Sequence, residues 1–418
     1  MMSFTYQGNE FFAEDCSVAD LAATHGTPLF VYSKAAITAN WQQFARHWPA
    51  PHKLCYAVKA NSNLAVLNLL ARLGAGFDIV SGGELARVLA AGGKAQDVVF
   101  SGVGKSHDEI AYALDQNIGC FNVESAAELE RIQQIASDKG VIAPISLRVN
   151  PDVDAQTHPY IATGLKANKF GIAMSEALAV FRRGATLSNL DMRGIDCHIG
   201  SQILSPQPFL DASERMFSLI ETLRAEGIHI THLDMGGGFG IPYQHEEKLE
   251  VSGYLQTLQK KAEAIGDLTL MLEPGRAIVG NAGIMVTKVE YYKPGSEKNF
   301  LLVDAGMNDL LRPSLYNAYH AIVPVNRHEG LDEQLVDVVG PVCETGDFFG
   351  HARHLAAQEG DLLAVMNAGA YGFTMASNYN TRPRAAEVMV HGDSATLIRE
   401  REPLASLWQG EHLLGDDA

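Results

Sequence analysis

At 418 residues the chain exceeds one ordinary domain and has the length of a large barrel with a smaller companion. Its apolar content of 47% is that of a globular protein, and no apolar run reaches membrane-spanning length. A formal charge of −17 argues against nucleic acid or an anionic membrane as the main partner, so any anion site has to be built locally against a repelling field. The five cysteines, at positions 16, 55, 120, 197 and 343, show no CxxC and no paired spacing. They suit a reducing compartment, and the start Met1-Met2-Ser3-Phe4 lacks a basic then apolar signal, so a cytoplasmic location is expected.

Along the chain, the first 33 residues or so close with a strand-like Pro28-Leu29-Phe30-Val31-Tyr32, and a helical pattern runs from Ser33 to Pro49. The apolar run Leu54–Val58 then reads as a buried strand that ends on Lys59. Asn61-Ser62-Asn63 and a helical spacing of Leu64, Leu67 and Leu70 follow. The same alternation continues. Strands are predicted at Gly76–Ser81, Val98–Ser101, Ile118–Val123, Ile145–Val149, Gly194–Ile199, His232–Met235 and Leu268–Leu272. Helices are predicted over Glu84–Ala91, after the capping boxes Ser106-x-x-Glu109 and Ser125-x-x-Glu128, and over about Pro208–Ala225. About eight strands alternating with helices over roughly 250 residues point to a closed (β/α)₈ barrel, with a doubly wound open sheet as the alternative. Beyond residue 282 short strand-like runs (Ile284–Tyr292, Phe300–Asp304, Leu335–Val339, Leu362–Met366, Ala386–Val390, Ala395–Arg399) predict an antiparallel β domain. The expected division is a barrel over residues 34–281, inserted in a β domain made of residues 1–33 and 282–418.

Barrel enzymes gather their chemistry at the carboxyl ends of the strands. Read at those positions, this chain offers Lys59, Asp78 with Ser81, Asn122 with Glu124, Arg148 with Asn150, His198 with Ser201, Gly236–Gly238, and Glu273 with Gly275-Arg276. Each has a plain reading alone: Asp78 as a helix cap, His198 as a core histidine, Arg148 as a solvated charge. Their convergence on one end of one barrel favours a site. A lysine at a strand end can be partly desolvated, which frees its lone pair to form an imine with an aldehyde. Gly236–Gly238 permits close backbone approach, and a helix N-terminus expected beside it, with Gly275 and Arg276 after the eighth strand, matches a barrel phosphate site. A phosphate at one edge and an imine-forming lysine at another describe pyridoxal 5′-phosphate, with His198 to stack on its ring and Glu273 to pair with the ring nitrogen. No metal site is expected.

The segments Tyr56–Asn61, His198-Ile199-Gly200-Ser201, Gly236–Gly238 and Glu273-Pro274-Gly275-Arg276 resemble the signatures of the fold-type III pyridoxal-phosphate decarboxylases, the barrel family that also includes alanine racemase. Further segments resemble the branch of that family that acts on meso-2,6-diaminopimelate. They are His158-Pro159-Tyr160-Ile161-x-Thr163-Gly164 with Lys169-Phe170-Gly171, Arg312-Pro313-x-Leu315-Tyr316, Cys343-Glu344-x-Gly346-Asp347 and Gly369-Ala370-Tyr371. The resemblance runs from about Pro28 to Val390. It implies that Lys59 carries the cofactor, that Asp78, Arg148, His198, Ser201, Gly237, Gly238, Glu273, Gly275, Arg276 and Tyr371 surround it, and that Cys343 is a proton donor. Arg276, Arg312, Tyr316, Glu344 and Tyr371 are then expected to hold the substrate. A homodimer is implied, in which Cys343 and Glu344 reach the site from a second subunit. Two alternatives are a related decarboxylase of D-lysine, D-ornithine or arginine, and a non-catalytic regulator of the same fold. The regulator is expected to have lost the lysine or the proton donor, and both are present here. Racemase activity is disfavoured by Glu273, because an arginine at the ring nitrogen serves that reaction.

Overall fold

A computed structural model describes residues 3–154, 163–164 and 168–415. The chain divides into two compact units, residues 38–279, and residues 1–37 with 280–418. In the first, eight strands are labelled here β1 (Lys53–Ala57), β2 (Gly76–Ile79), β3 (Val98–Phe100), β4 (Cys120–Val123), β5 (Ala143–Asn150), β6 (Leu190–Asp196), β7 (His232–Asp234) and β8 (Thr269–Leu272). Each pairs in parallel with its neighbour in sequence, and β8 pairs in parallel with β1, so the ring closes. The (β/α)₈ expectation holds and the open sheet does not.

Asn63, Ser81, Ser106 and Ser125 each cap the start of a helix between the strands, whereas Gln207–Ala225 begins after Pro206 without a side-chain cap. Ser106 and Glu109 form the predicted reciprocal box at the head of His107–Asp115. At Ala126–Lys139 only half of the predicted box forms. Ser125 accepts from the Glu128 amide, but the Glu128 carboxylate turns instead to Lys105 (2.7 Å) and the Glu124 amide (2.9 Å). That buried lysine also donates to the carbonyls of Gly102 and Asn122, so it recruits the carboxylate that the cap would have used. Two helices that the sequence did not announce, Met174–Gly184 and Ser252–Ile265, begin without a side-chain cap.

The barrel interior changes character along its axis. Cys55, Val99, Cys120 and Met271, from four different strands, form a buried apolar layer. Above it, toward the carboxyl ends, Asp78, Asn122, Asp196, Asp234 and Glu273 are all buried. The alternation of a strand places residues two apart on one face, so Met271 on β8 and Glu273 just after it mark the switch from apolar to polar within one step.

In the second unit, Leu29–Ser33 lies between Gly283–Lys293 and Ala386–His391 in a larger sheet. Its core joins Phe11, Ala13 and Val18 to Leu29, Val31, Ile284, Val286, Val388 and Val390. Most pairings are antiparallel, as predicted for this β-rich segment. Two are parallel: Asn299–Val303 with Gln334–Val339, and Leu29–Ser33 with Ala386–His391. Both join strands separated by long crossovers, which parallel pairing needs and a short-range pattern cannot reveal.

Candidate active site

Lys59 sits in a single 3₁₀ turn, Val58–Ala60, directly after β1. Its Nζ lies 2.5 Å from Oδ2 of Asp78, a carboxylate on β2 with no exposed surface. The lysine side chain itself is 34% exposed. Charge pairing with Asp78, more than the desolvation expected from sequence, therefore dominates its surroundings.

His198 follows β6. The Gly237 amide donates to its Nδ1 at 3.2 Å, so the ring's own proton belongs on Nε2. Burial, and then the charges of Arg148 and Lys59, push the imidazole well below its usual range, and it stands as a flat neutral ring at neutral pH. Arg148 on β5 bonds to Glu124 (2.8 Å), approaches Asp196 (3.8 Å) and lies 5.0 Å over the Phe170 ring. The Gly171 amide closes the same cluster by donating to Glu124 at 2.8 Å. Lys169-Phe170-Gly171 thus packs beneath Arg148, whereas residues 158–161 of the predicted loop lie outside the described residues.

The glycine run after β7 needs its glycines. Gly236 and Gly238 have φ of +66° and +95°, and a Cβ at Gly237 would stand 2.1 Å from the Glu273 carbonyl. The helix N-terminus expected beside this run is not there, because the next helix starts only at Ser252. The Gln202 side-chain amide donates to the Ile241 carbonyl (2.6 Å) and accepts from its amide (3.2 Å), which holds the segment extended as a strand partner would. The fixed positive charge comes from Arg276, which opens the short helix Arg276–Val279 after β8. This buried guanidinium donates to Ser201 Oγ at 3.0 Å and to the Tyr243 hydroxyl at 2.8 Å. Gly275 fits tightly, since a Cβ there would meet Ala57 and Ala60 at 3.0 and 3.1 Å.

Glu273 is buried at the end of β8, and Asn122 Nδ2 donates to it at 3.4 Å. Burial, then the nearby Asp234, Asp78 and Asp196, push its carboxyl well above the usual range. Asp196 and Asp234 were not singled out from the sequence. Their one signal there is a lone carboxylate inside an otherwise apolar strand run, in Gly194-Ile195-Asp196-Cys197 and His232-Leu233-Asp234-Met235.

The remaining predicted residues belong to the second unit. Arg312 is buried at the head of the helix Arg312–Tyr316, and its Nη1 donates to Nε2 of His320 at 2.8 Å. Because arginine only donates, His320 carries its proton on Nδ1, which donates to the Met366 carbonyl at 2.7 Å. Tyr316 is half-buried. Cys343 and Glu344 are exposed on a turn pinned from below by buried Asp347, which accepts from the Val342 and Met307 amides, each at 2.6 Å. The Glu344 carboxylate accepts from the Tyr379 hydroxyl. Tyr371 is a non-glycine residue with φ of +55°, a conformation that concentrates at functional sites.

A lysine amine, a glycine-lined backbone with an arginine and a serine, a neutral imidazole and a buried carboxyl form the donor set that an aldehyde-bearing, phosphorylated pyridine requires. The sequence profile of the pyridoxal-dependent decarboxylases, specifically their pyridoxal-binding domain, matches residues 34–280. The chain belongs to this family, and pyridoxal 5′-phosphate is its cofactor. It is 57% identical over 413 residues to the diaminopimelate decarboxylase of Vibrio cholerae, covering 98% of this chain and 99% of that one. The crystal structure of diaminopimelate decarboxylase from Helicobacter pylori complexed with L-lysine superposes with a TM-score of 0.90 at 44% identity, over 94% of this chain and 98% of that one. The corresponding M. jannaschii enzyme, also in complex with L-lysine, gives 0.93 at 35% identity over 99% and 98%. Among the described residues no helix is long and apolar enough to cross a membrane.

Proposed function

We propose that this chain decarboxylates meso-2,6-diaminopimelate to L-lysine and CO₂ for amino-acid biosynthesis, as a cytoplasmic homodimer whose active sites take residues from both subunits. The observation that carries the reading is the barrel mouth: Lys59 against buried Asp78, the glycine run with Arg276, and Glu273 at the end of β8. Full-length likeness to enzymes named for this substrate supports it. So does substrate chemistry. The molecule has two carboxylates and two ammonium groups, and the far end calls for both an arginine and a carboxylate.

Lys59 Nζ is assigned to hold the cofactor covalently, with Asp78 as the base that keeps or accepts the amine's proton. Gly237, Gly238, Gly275, Ser201 and Arg276 are assigned to its phosphate, His198 to its ring face, Arg148 to the charge balance beside it, and Tyr371 to its rim. Pyridoxal phosphate, when bound, supplies the ring that accepts the bonding pair as CO₂ leaves. Glu273, buried at the end of β8, is assigned to pair as a carboxylate with the ring nitrogen and would keep that nitrogen protonated. Arg276, Arg312, Tyr316, Glu344 and Tyr371 are assigned to the substrate. Cys343, an exposed thiol on a pinned turn, is assigned to deliver a proton from Sγ to the carbon that lost CO₂ in the partner subunit's site.

The test is CO₂ release from meso-diaminopimelate and D-lysine by wild type and Arg312→Ala. Wild type is expected to prefer diaminopimelate strongly, because D-lysine leaves a buried arginine without its carboxylate. Arg312→Ala is expected to cut kcat/KM on diaminopimelate by about 10². Equal turnover of D-lysine, or a near-normal variant, would move the D-amino-acid decarboxylase reading to the front.

A further inference from the structure

Beneath Glu273 lies a chain of carboxyl groups that none of the roles above uses. Asp196 on β6, Asp234 on β7 and Glu273 after β8 offer oxygens that all lie within 4.8 Å of one another, and none is more than 4% exposed. Asp196 and Asp234 are register partners on adjacent strands, which makes Asp234 the middle member. The charged groups around them come from the other strands: Asp78 from β2, Glu124 after β4, Arg148 from β5 and Lys59 after β1. Glu84, on the helix Gly82–Ala90, adds one more carboxyl beside Asp78. The inner set thus places the five carboxyls Asp78, Glu124, Asp196, Asp234 and Glu273 against two cations, Lys59 and Arg148. An excess of buried like charge is relieved by holding protons.

Donor geometry locates one of them. Asp196 has the Arg148 guanidinium at 3.8 Å, and Glu273 has the Asn122 amide at 3.4 Å. Asp234 Oδ1 accepts from the Gly236 amide at 2.8 Å, and its Oδ2, like Oδ1 of Asp78 and Oδ1 of Asp196, is buried with no donor. Asp78 and Asp196 have Lys59 and Arg148 at their other oxygens, whereas among the described residues Asp234 has no cation partner. A carboxylate oxygen that faces other carboxylates and receives no donor is unstable unless it carries the hydrogen itself. We propose that Asp234 is a carboxylic acid in the working enzyme and donates its hydrogen bond to Glu273, acting as a positioning residue that holds Glu273 ionised and aimed at the ring nitrogen. Burial first, and then like-charged neighbours, push Asp234 up to about 7 and raise Asp196 and Glu273 well above the usual carboxyl range, so the cluster as a whole holds protons and it is the cation partners that assign one to Asp234.

The inference rests on the assignment of Glu273 to the ring nitrogen, so the experiment reads the two separately. Infrared spectra of the holoenzyme are expected to show a protonated-carboxyl stretch that shifts on ¹³C-aspartate labelling and is lost in Asp234→Asn. The labelling arm needs no variant to fold. Asp234→Asn, which copies the neutral acid and can still donate, is expected to keep kcat/KM within a few-fold. Asp234→Ala is expected to lose about tenfold or more, and to shift the pH dependence of the cofactor's visible band. An acid raised in the folded state stabilises the fold at low pH and gives that up as pH rises through its folded value. Between pH ~4 and ~7 the wild type is therefore expected to lose thermal stability more steeply than Asp234→Asn. Glu84 and Asp309, raised to about 7 and about 6, titrate in both proteins and cancel in the comparison. A wild type without the ¹³C-sensitive band, or Asp234→Asn as impaired as Asp234→Ala, overturns the proposal. So does a melting temperature that falls with chelator and rises with magnesium or calcium, because the three carboxyls would then hold a cation. If instead Glu273→Gln leaves the visible spectrum unchanged, the ring-nitrogen assignment fails while the Asp234 band still reports the proton.

Discussion

The floor and the mouth of the barrel are built from the same strands and obey different rules. At the floor, Cys55, Val99, Cys120 and Met271 are buried and carry no charge, and burial pushes both thiols up out of the reactive range. One alternation step higher, Asn122 follows Cys120 on β4 and Glu273 follows Met271 on β8, in a layer shared with Asp78, Asp196 and Asp234. A charge in that layer is costly unless paired, so the fold has to supply Lys59, Arg148 and protons in compensation. The difference teaches where this protein spends stability. The apolar layer closes the barrel, and the charged layer is tolerated because it does chemistry.

That contrast can be broken from either side. The largest effect is expected at the mouth. Arg276→Ala removes a guanidinium oriented by Ser201 and Tyr243, and kcat/KM should fall by about 10² or more, with weaker retention of the cofactor on dialysis. Near-normal turnover would detach Arg276 from the site. At the floor the expected change is smaller and of another kind. Met271→Ala opens a cavity and should cost about 2–5 kcal/mol in denaturant unfolding, while the visible spectrum of the folded holoenzyme stays that of wild type. A spectral shift in that variant would show that floor and mouth are not separable.

Most of the barrel was legible because its strands are short apolar runs that end on polar residues, and because Ser106 and Ser125 announce helix starts. Met174–Gly184 and Ser252–Ile265 escaped since Ala173 and Val251 stand at their N-caps and give no side-chain signal. The residues at strand ends, Lys59, His198, Glu273 and Arg276, could be listed by position alone. Asp196 and Asp234 could not, because a carboxylate within a strand run shows its neighbours only when adjacent strands bring them together. The parallel pairing of Leu29–Ser33 with Ala386–His391 was hidden for the same reason, its partners lying near opposite ends of the chain.

The most direct measurement is reductive trapping. Purified wild-type holoenzyme would be treated with sodium borohydride, digested and mapped by mass spectrometry, with Lys59→Ala in parallel. One phosphopyridoxyl group is expected on the peptide that contains Lys59, with loss of the visible band. Lys59→Ala is expected to give no such adduct, no turnover and an unchanged melting profile for the apoprotein. An adduct on another single lysine, or turnover by Lys59→Ala, would contradict the account.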